Sequence, residues 1–186
     1  MGDLYLALLH HPVYDKNGAV VTTAVTNMDV HDFGRLARTF GARAFYVVTP
    51  VATQRRLVER IMRHWDTGPG ATYNATRKEA LALARLADEL DAVVADVERE
   101  AGMLPRLIAT SAREGAGRLP FATLRGELCT DARPVVLLFG TGWGLTREVL
   151  ERVEGVLEPI RGSADWNHLS VRSAAAIVLD RLRGDR

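Results

Sequence analysis

Cysteine is nearly missing from this sequence: Cys129 is the only one in 186 residues. A lone thiol excludes an internal disulfide, and no clustered Cys/His spacing suggests a zinc or other metal site. A reducing compartment is therefore expected, with Cys129 read as a small buried hydrophobe. Lysine is almost as scarce, since Lys16 and Lys78 stand alone and arginine carries nearly all the positive charge. Arginine grips phosphate through paired hydrogen bonds, although a GC-rich genome produces the same bias. Positive charge is not in excess either: 24 Lys and Arg against 23 Asp and Glu leave a formal net charge of +1. Such a balance does not announce a nucleic-acid binder, so any RNA affinity must come from local clusters. No apolar run approaches the roughly 20 residues that span a bilayer. The short run Leu4 to Leu9 follows Asp3 and precedes His10-His11-Pro12, so it reads as a first strand rather than a signal peptide. A soluble, cytoplasmic protein with no membrane partner is the expectation. Neither G-x-G-x-x-G nor G-x-x-x-x-G-K-[ST] occurs, which removes support for dinucleotide and nucleoside-triphosphate sites.

What is present is an alternation of short apolar runs and helical periodicity over one domain, residues 1–186. Candidate strands are 4–9, 44–48, 92–95, 107–110, 135–139 and 155–159. This order argues for βαβ units, hence an α/β fold with a largely parallel sheet and helices on both faces. Between them, 53–65 places Leu57, Val58, Ile61, Met62 and Trp65 on one stripe and leaves Arg56, Arg60 and Arg63 wet. Thr76 with Glu79 forms a capping box before an apolar helix over 81–90. Residues 66–75 and 114–120, each with two glycines, read as loops. His64 reads as a cap of its helix, and His10 and His11 as structural or substrate-lining.

Two closing runs carry the most chemistry. Residues 135–139 form a buried strand that ends in Gly140-Thr141-Gly142-Trp143-Gly144, a turn where backbone can approach a ligand closely. Then Ile160-Arg161-Gly162 and Asp165-Trp166-Asn167-His168-Leu169-Ser170 lead into a helix beginning near Leu169, whose free N–H groups face a ligand's polar edge. Both runs lie at the carboxyl end of strands, where an open α/β sheet binds its ligand. Trp143 and Trp166 are candidates to stack on a base. In the last helix Val171, Ala174, Ala175, Val178 and Leu182 make an apolar stripe, for burial within the monomer or for a homodimer seam.

Earlier in the chain, Asp29-Val30-His31-Asp32-Phe33-Gly34-Arg35 opens a helix that buries Phe33, Leu36, Ala37 and Phe40 and turns His31, Arg35 and Arg38 outward. Asp29 and Asp32 also suit a capping role. A further strand-end run is Ala109-Thr110-Ser111-Ala112-Arg113.

These four runs, in this order, resemble the motifs of the SpoU/TrmD, or SPOUT, superfamily of RNA methyltransferases. The resemblance covers most of the chain and implies a C-terminal trefoil knot that holds S-adenosylmethionine. It also implies a homodimer and an RNA substrate, tRNA or rRNA, methylated on a base nitrogen such as guanine N1 or on a ribose. The cofactor pocket would take Thr110, Phe139, Gly140, Thr141, Gly142, Gly144, Ile160, Gly162, Asn167, Leu169 and Ser170. Arg35, six residues before Gly41, matches the family's arginine and would orient RNA and stabilise negative charge on the acceptor. Asp29 and His31 depart from the SpoU pattern of asparagine and glycine, which weighs against ribose 2′-O methylation. A base nitrogen carries a proton that must leave, and Asp29, His31, Asp32, Asp165 and His168 are the candidate acceptors. The resemblance carries an alternative of another class: a catalytically silent RNA-binding or assembly factor with the same fold.

Overall fold

The computed structural model describes residues 2–164 and 166–185. At its centre lies β1 (Leu4–Leu9), whose six residues are all buried. It pairs in parallel with β4 (Ala44–Val48) on one side and with β7 (Val135–Gly140) on the other. Outward from β4 comes β5 (Ala84–Ala87); outward from β7 come β6 (Arg106–Ala109) and β8 (Gly155–Val156). The sheet order is therefore β5-β4-β1-β7-β6-β8, all parallel. Strands buried on both faces read as unbroken apolar runs rather than as alternation, which is why the three central ones are legible in the sequence.

Successive β1 side chains feed two cores. Leu4, Leu6 and Leu8 meet α1 (Asn27–Thr39), α2 (Ala52–Asp66), α4 (Ala75–Leu81), α6 (Phe121–Thr130) and α8 (Val171–Arg183). Tyr5, Ala7 and Leu9 meet α5 (Leu90–Ala101) and α7 (Arg147–Leu150) on the other face. Helices thus cover both faces, as the alternation predicts.

The expected order fails between residues 66 and 101. Residues 69–73 form a short helix, α3 (Pro69–Tyr73), instead of a loop. The cap of α4 is Asn74, whose Oδ1 accepts from the Arg77 N–H at 3.0 Å, so Thr76 and Glu79 form no capping box. The apolar stretch expected as a helix over 81–90 contains edge strand β5, and the run expected as a strand over 92–95 lies inside α5. Short Ala/Leu/Val runs fit either period, and here pairing decides. Residues 84–87 find a free edge on β4, while Leu90, Val93 and Val97 recur on one helical side and bury against the sheet. Cys129 is exposed rather than buried, and Leu57 of α2 is also exposed.

A small antiparallel pair, β2 (Val13–Tyr14) with β3 (Val20–Val21), lies outside the main sheet. Later in the chain two loops bind each other. Leu119 bridges Leu157, Arg161 holds Glu114 through two hydrogen bonds of 2.9 and 3.0 Å, and the Asn167 side chain donates to the Ala112 carbonyl at 2.7 Å.

Candidate functional site

The residues that line the main cavity gather at the carboxyl ends of β6, β7 and β8, the edge at which an open α/β sheet takes its ligand. The turn after β7 is fixed there by hydrogen bonds from several segments. The Thr141 hydroxyl donates to the Leu9 carbonyl at 3.1 Å and shares a 2.5 Å hydrogen bond with the Thr23 hydroxyl. Thr23 in turn meets Nδ1 of His10 at 3.0 Å. The β2–β3 hairpin closes the other side: the Trp143 N–H donates to the Tyr14 carbonyl and the Tyr14 N–H to the Gly144 carbonyl, both at 2.9 Å.

Gly142 shows why glycine is required in this turn. Its φ is +58°, and a Cβ there would stand 2.8 Å from the Tyr14 carbonyl oxygen. The hairpin is absent from the expected strands, although Asn17-Gly18 between Val13-Tyr14 and Val20-Val21 is a recognised hairpin signature. Asp15 secures that turn by accepting from the Asn17 and Ala19 N–H groups at 2.8 Å each.

Around the turn lies a cavity of about 650 Å³. Ten of the eleven expected cofactor residues line it: Thr110, Phe139, Gly140, Thr141, Gly142, Gly144, Ile160, Asn167, Leu169 and Ser170. Gly162 does not; it is exposed, with no atom within 4 Å of where its Cβ would lie. Leu145, Leu150, Leu157, Val171, Ala174 and Val178 add apolar wall, while Arg113, Glu158 and His168 add polar groups at the same cavity. Several lining side chains are already engaged within the protein. Thr110 Oγ1 donates to the Leu138 carbonyl at 3.0 Å, and Ser170 caps α8 by accepting from the Ser173 N–H at 3.2 Å. What these positions leave for a ligand is mostly backbone edge and apolar surface.

Trp143 is 57% exposed at the rim, its carbonyl accepting from Arg113 Nη2 at 3.2 Å. Trp166 is exposed and outside the lining, its ring T-shaped to His168 with centroids 5.2 Å apart. Asp165 lies outside the described residues.

The four residues expected to act on the acceptor, Asp29, His31, Asp32 and Arg35, all on α1, do not line the cavity. Thr26 and Asp29 form the capping box of α1, with the Asp29 N–H donating to Thr26 Oγ1 at 3.1 Å and the Thr26 N–H donating to Asp29 Oδ2 at 3.2 Å; the Thr26 hydroxyl also donates to Oδ2 at 2.6 Å. Arg172, a residue with no role in the sequence expectations, reaches across from α8. Its Nε lies 3.4 Å from Asp29 Oδ1 and its Nη1 3.0 Å from Asp32 Oδ2. His31 turns towards α2, its ring edge-on to Trp65 at 5.4 Å and its Nδ1 buried without a partner. Burial, with help from Arg77, holds His31 below the usual histidine pKa. Arg35 is exposed and makes no hydrogen bond or ion pair with any described residue.

His10 is buried and structural, and burial pushes its pKa down to about 4. His64 packs edge-on to Trp65 at 5.0 Å, while the C-cap of α2 is Thr67. In the last helix Ala175, Val178 and Leu182 are buried within the monomer, whereas Val171 and Ala174 are half-buried at the cavity. Among the described residues no three His, Cys, Asp or Glu side chains converge as metal ligands. Among them, too, no helix is long and apolar enough to cross a membrane.

A family model described as SAM-dependent RNA methyltransferase matches residues 3–184. A relative from Oleidesulfovibrio alaskensis called tRNA (guanine-N(1)-)-methyltransferase is 47% identical over 183 residues, covering 98% of this chain. That match takes up 42% of the relative, so the chain spans less than half its length. A relative from Aquifex aeolicus, described only as an uncharacterized protein, is 41% identical over 180 residues, 97% of this chain and 88% of its own. Among solved structures, a probable methylase family protein from Haemophilus influenzae superposes with a TM-score of 0.64 at 19% identity, over 98% of this chain and 65% of that one. At that identity the likeness concerns the fold.

Proposed function

Since the chain belongs to the family of SAM-dependent RNA methyltransferases, we propose that it methylates a nucleotide of tRNA or rRNA from S-adenosylmethionine held in the cavity beside the three-glycine turn. The observation that carries this reading is the convergence of Thr110, the 139–144 turn, Ile160 and the 167–170 segment on one cavity. Its volume falls in the range usual for small-molecule sites, about 300–1,000 Å³. Apolar Leu145, Leu157, Ile160 and Val171 suit a flat heterocycle, and backbone edges at the strand ends suit its polar rim. Bound there, S-adenosylmethionine supplies an electrophilic methyl group on a sulfonium.

The chain's own residues then have three tasks. The turn, residues 157–160 and residues 167–170 hold the donor in one orientation, which is a large share of any methyl-transfer rate. Arg35, free of any partner among the described residues, grips the RNA and offsets negative charge developing on the acceptor. His168 takes the proton released by a base nitrogen; of the described candidates it alone lines the cavity. Guanine N1 of tRNA is the acceptor we favour, following the name of the Oleidesulfovibrio relative.

Arg35 does not line its own chain's cavity, so the active species is a homodimer in which Arg35 of one copy faces the donor of the other. Exposed Met28, Trp143 and Leu169 support such an apolar contact. The whole chain acts as one domain, and the contacts of Leu119 with Leu157 and of Ala112 with Asn167 lie where the trefoil knot of the SPOUT superfamily would close. With tRNA or rRNA as substrate, the place of action is the cytoplasm. Mass-spectrometric comparison of nucleosides from total RNA of cells with and without this protein tests the reading. Loss of one methylated nucleoside is expected; identical nucleosides, with RNA still bound by the protein, would support the silent binding factor instead.

A further inference from the structure

Four arginines, Arg35, Arg56, Arg60 and Arg63, are exposed, and their guanidinium groups donate to no described residue. Arg77 joins them, its guanidinium without a hydrogen bond or ion pair to any described residue and lying 4.9 Å from the centroid of the Trp65 ring. Elsewhere among the described residues the guanidinium groups are occupied. Arg43, Arg99, Arg133 and Arg152 pair with carboxylates, Arg125 with carbonyls, and Arg181 lies over Phe121. A compositional bias towards arginine would scatter free guanidinium groups over the surface. These five instead lie on three helices packed together, α1, α2 and α4.

On α2 the three free arginines recur at i, i+4 and i+7, one stripe opposite the buried Val58. The stripe spans about 10 Å, over which one nucleic-acid strand presents about three phosphates. The α2 carboxylates do little to neutralise it: Asp66 lies beside Lys78, 4.0 Å away, and Glu59 is on the flank. Tyr73 ends α3, which packs on α2; it is 87% exposed, and its ring offers a face on which an unpaired base can stack. Its ring gives this surface a feature that an acidic protein partner would not use.

We propose that the outer face of α2, with Arg56, Arg60 and Arg63, is a docking surface for the phosphate backbone of the RNA substrate, remote from the methyl-donor cavity. Arg35 and Arg77 stand on α1 and α4, which pack against α2, and offer further guanidinium groups to an RNA that lies on α2 and presents its nucleotide to the site. The inference rests on the reading of the chain as an RNA methyltransferase.

The test is filter binding of deacylated bulk bacterial tRNA to the intact protein across a series of KCl concentrations. One variant carries Arg56→Gln, Arg60→Gln and Arg63→Gln; a control carries Arg43→Gln, Arg99→Gln and Arg152→Gln, the same charge change at paired sites. Removing one phosphate-binding arginine should reduce the slope of log affinity against log salt by about 1. The α2 variant is therefore expected to lose about 3 from the slope and at least about tenfold in affinity at low salt. It should keep its affinity for S-adenosylmethionine, and the control should keep both slope and affinity. Parental affinity and slope in the α2 variant, or equal losses in the two variants, would overturn the docking face while leaving the enzymatic reading intact. If the parent protein binds no tRNA yet binds S-adenosylmethionine, the tRNA-substrate reading falls and the docking face falls with it.

Discussion

Arg172 on α8 lies with its Nε 3.4 Å from Oδ1 of Asp29, the capping-box carboxylate of α1, and so ties the start of the last helix to the start of the first. The same guanidinium holds Asp32 at 3.0 Å. Two carboxylates expected to serve as bases are thereby engaged in structure, and the wall of the cavity formed by α8 is positioned by that engagement. Arg172→Ala would leave the largely buried Asp29 carboxylate without its cation. A loss of about 1–3 kcal/mol in urea unfolding is expected. Adding Asp29→Asn should recover part of it, because the charge that lacks a partner is then gone.

His10 makes stability depend on pH. Its folded pKa, about 4, lies below the ordinary histidine value of 6.5. Between those values the unfolded chain takes up a proton that the folded chain refuses. The stabilising contribution is complete above pH 6.5 and lost as pH falls towards 4, on the order of 3 kcal/mol in all. Unfolding free energies across that window should fall faster for the parent than for His10→Gln; equal slopes would contradict the assignment.

Gly142 and Gly162 make a matched pair. Gly142→Ala places a methyl group against the Tyr14 carbonyl at a φ of +58°. It should cost about 1–3 kcal/mol of stability and weaken S-adenosylmethionine binding at least tenfold. Gly162→Ala meets nothing within 4 Å and should change neither quantity beyond about 0.5 kcal/mol.

Arg35→Ala should leave cofactor affinity and melting temperature unchanged, because the side chain has no partner among the described residues. Methyl transfer to RNA should fall about 10²–10³-fold. Retained turnover would remove Arg35 from the catalytic role.

The central strands, the last helix and most of the cavity lining are legible in the sequence because each is written in contiguous residues. β1, β4 and β7 are unbroken apolar runs, and Gly140 to Gly144 spell out their own turn. Edge strand β5 is not legible, since Ala84 to Ala87 differs from helical sequence only by having β4 beside it. Contacts between distant residues escape as well. Arg172 and Asp32 are 140 positions apart, and only the packed helices bring them together. The hairpin at Asn17-Gly18 does carry a local signal, but its purpose, propping the 141–144 turn, exists only in three dimensions.

Calorimetric titration of the purified chain with S-adenosylmethionine tests the central claim most directly. The account predicts one site per chain with an affinity on the order of 10 µM, about −7 kcal/mol, weakened at least tenfold in Gly142→Ala and kept in Arg35→Ala. Absence of binding heat for the parent protein at many times that concentration, roughly 500 µM, would contradict it.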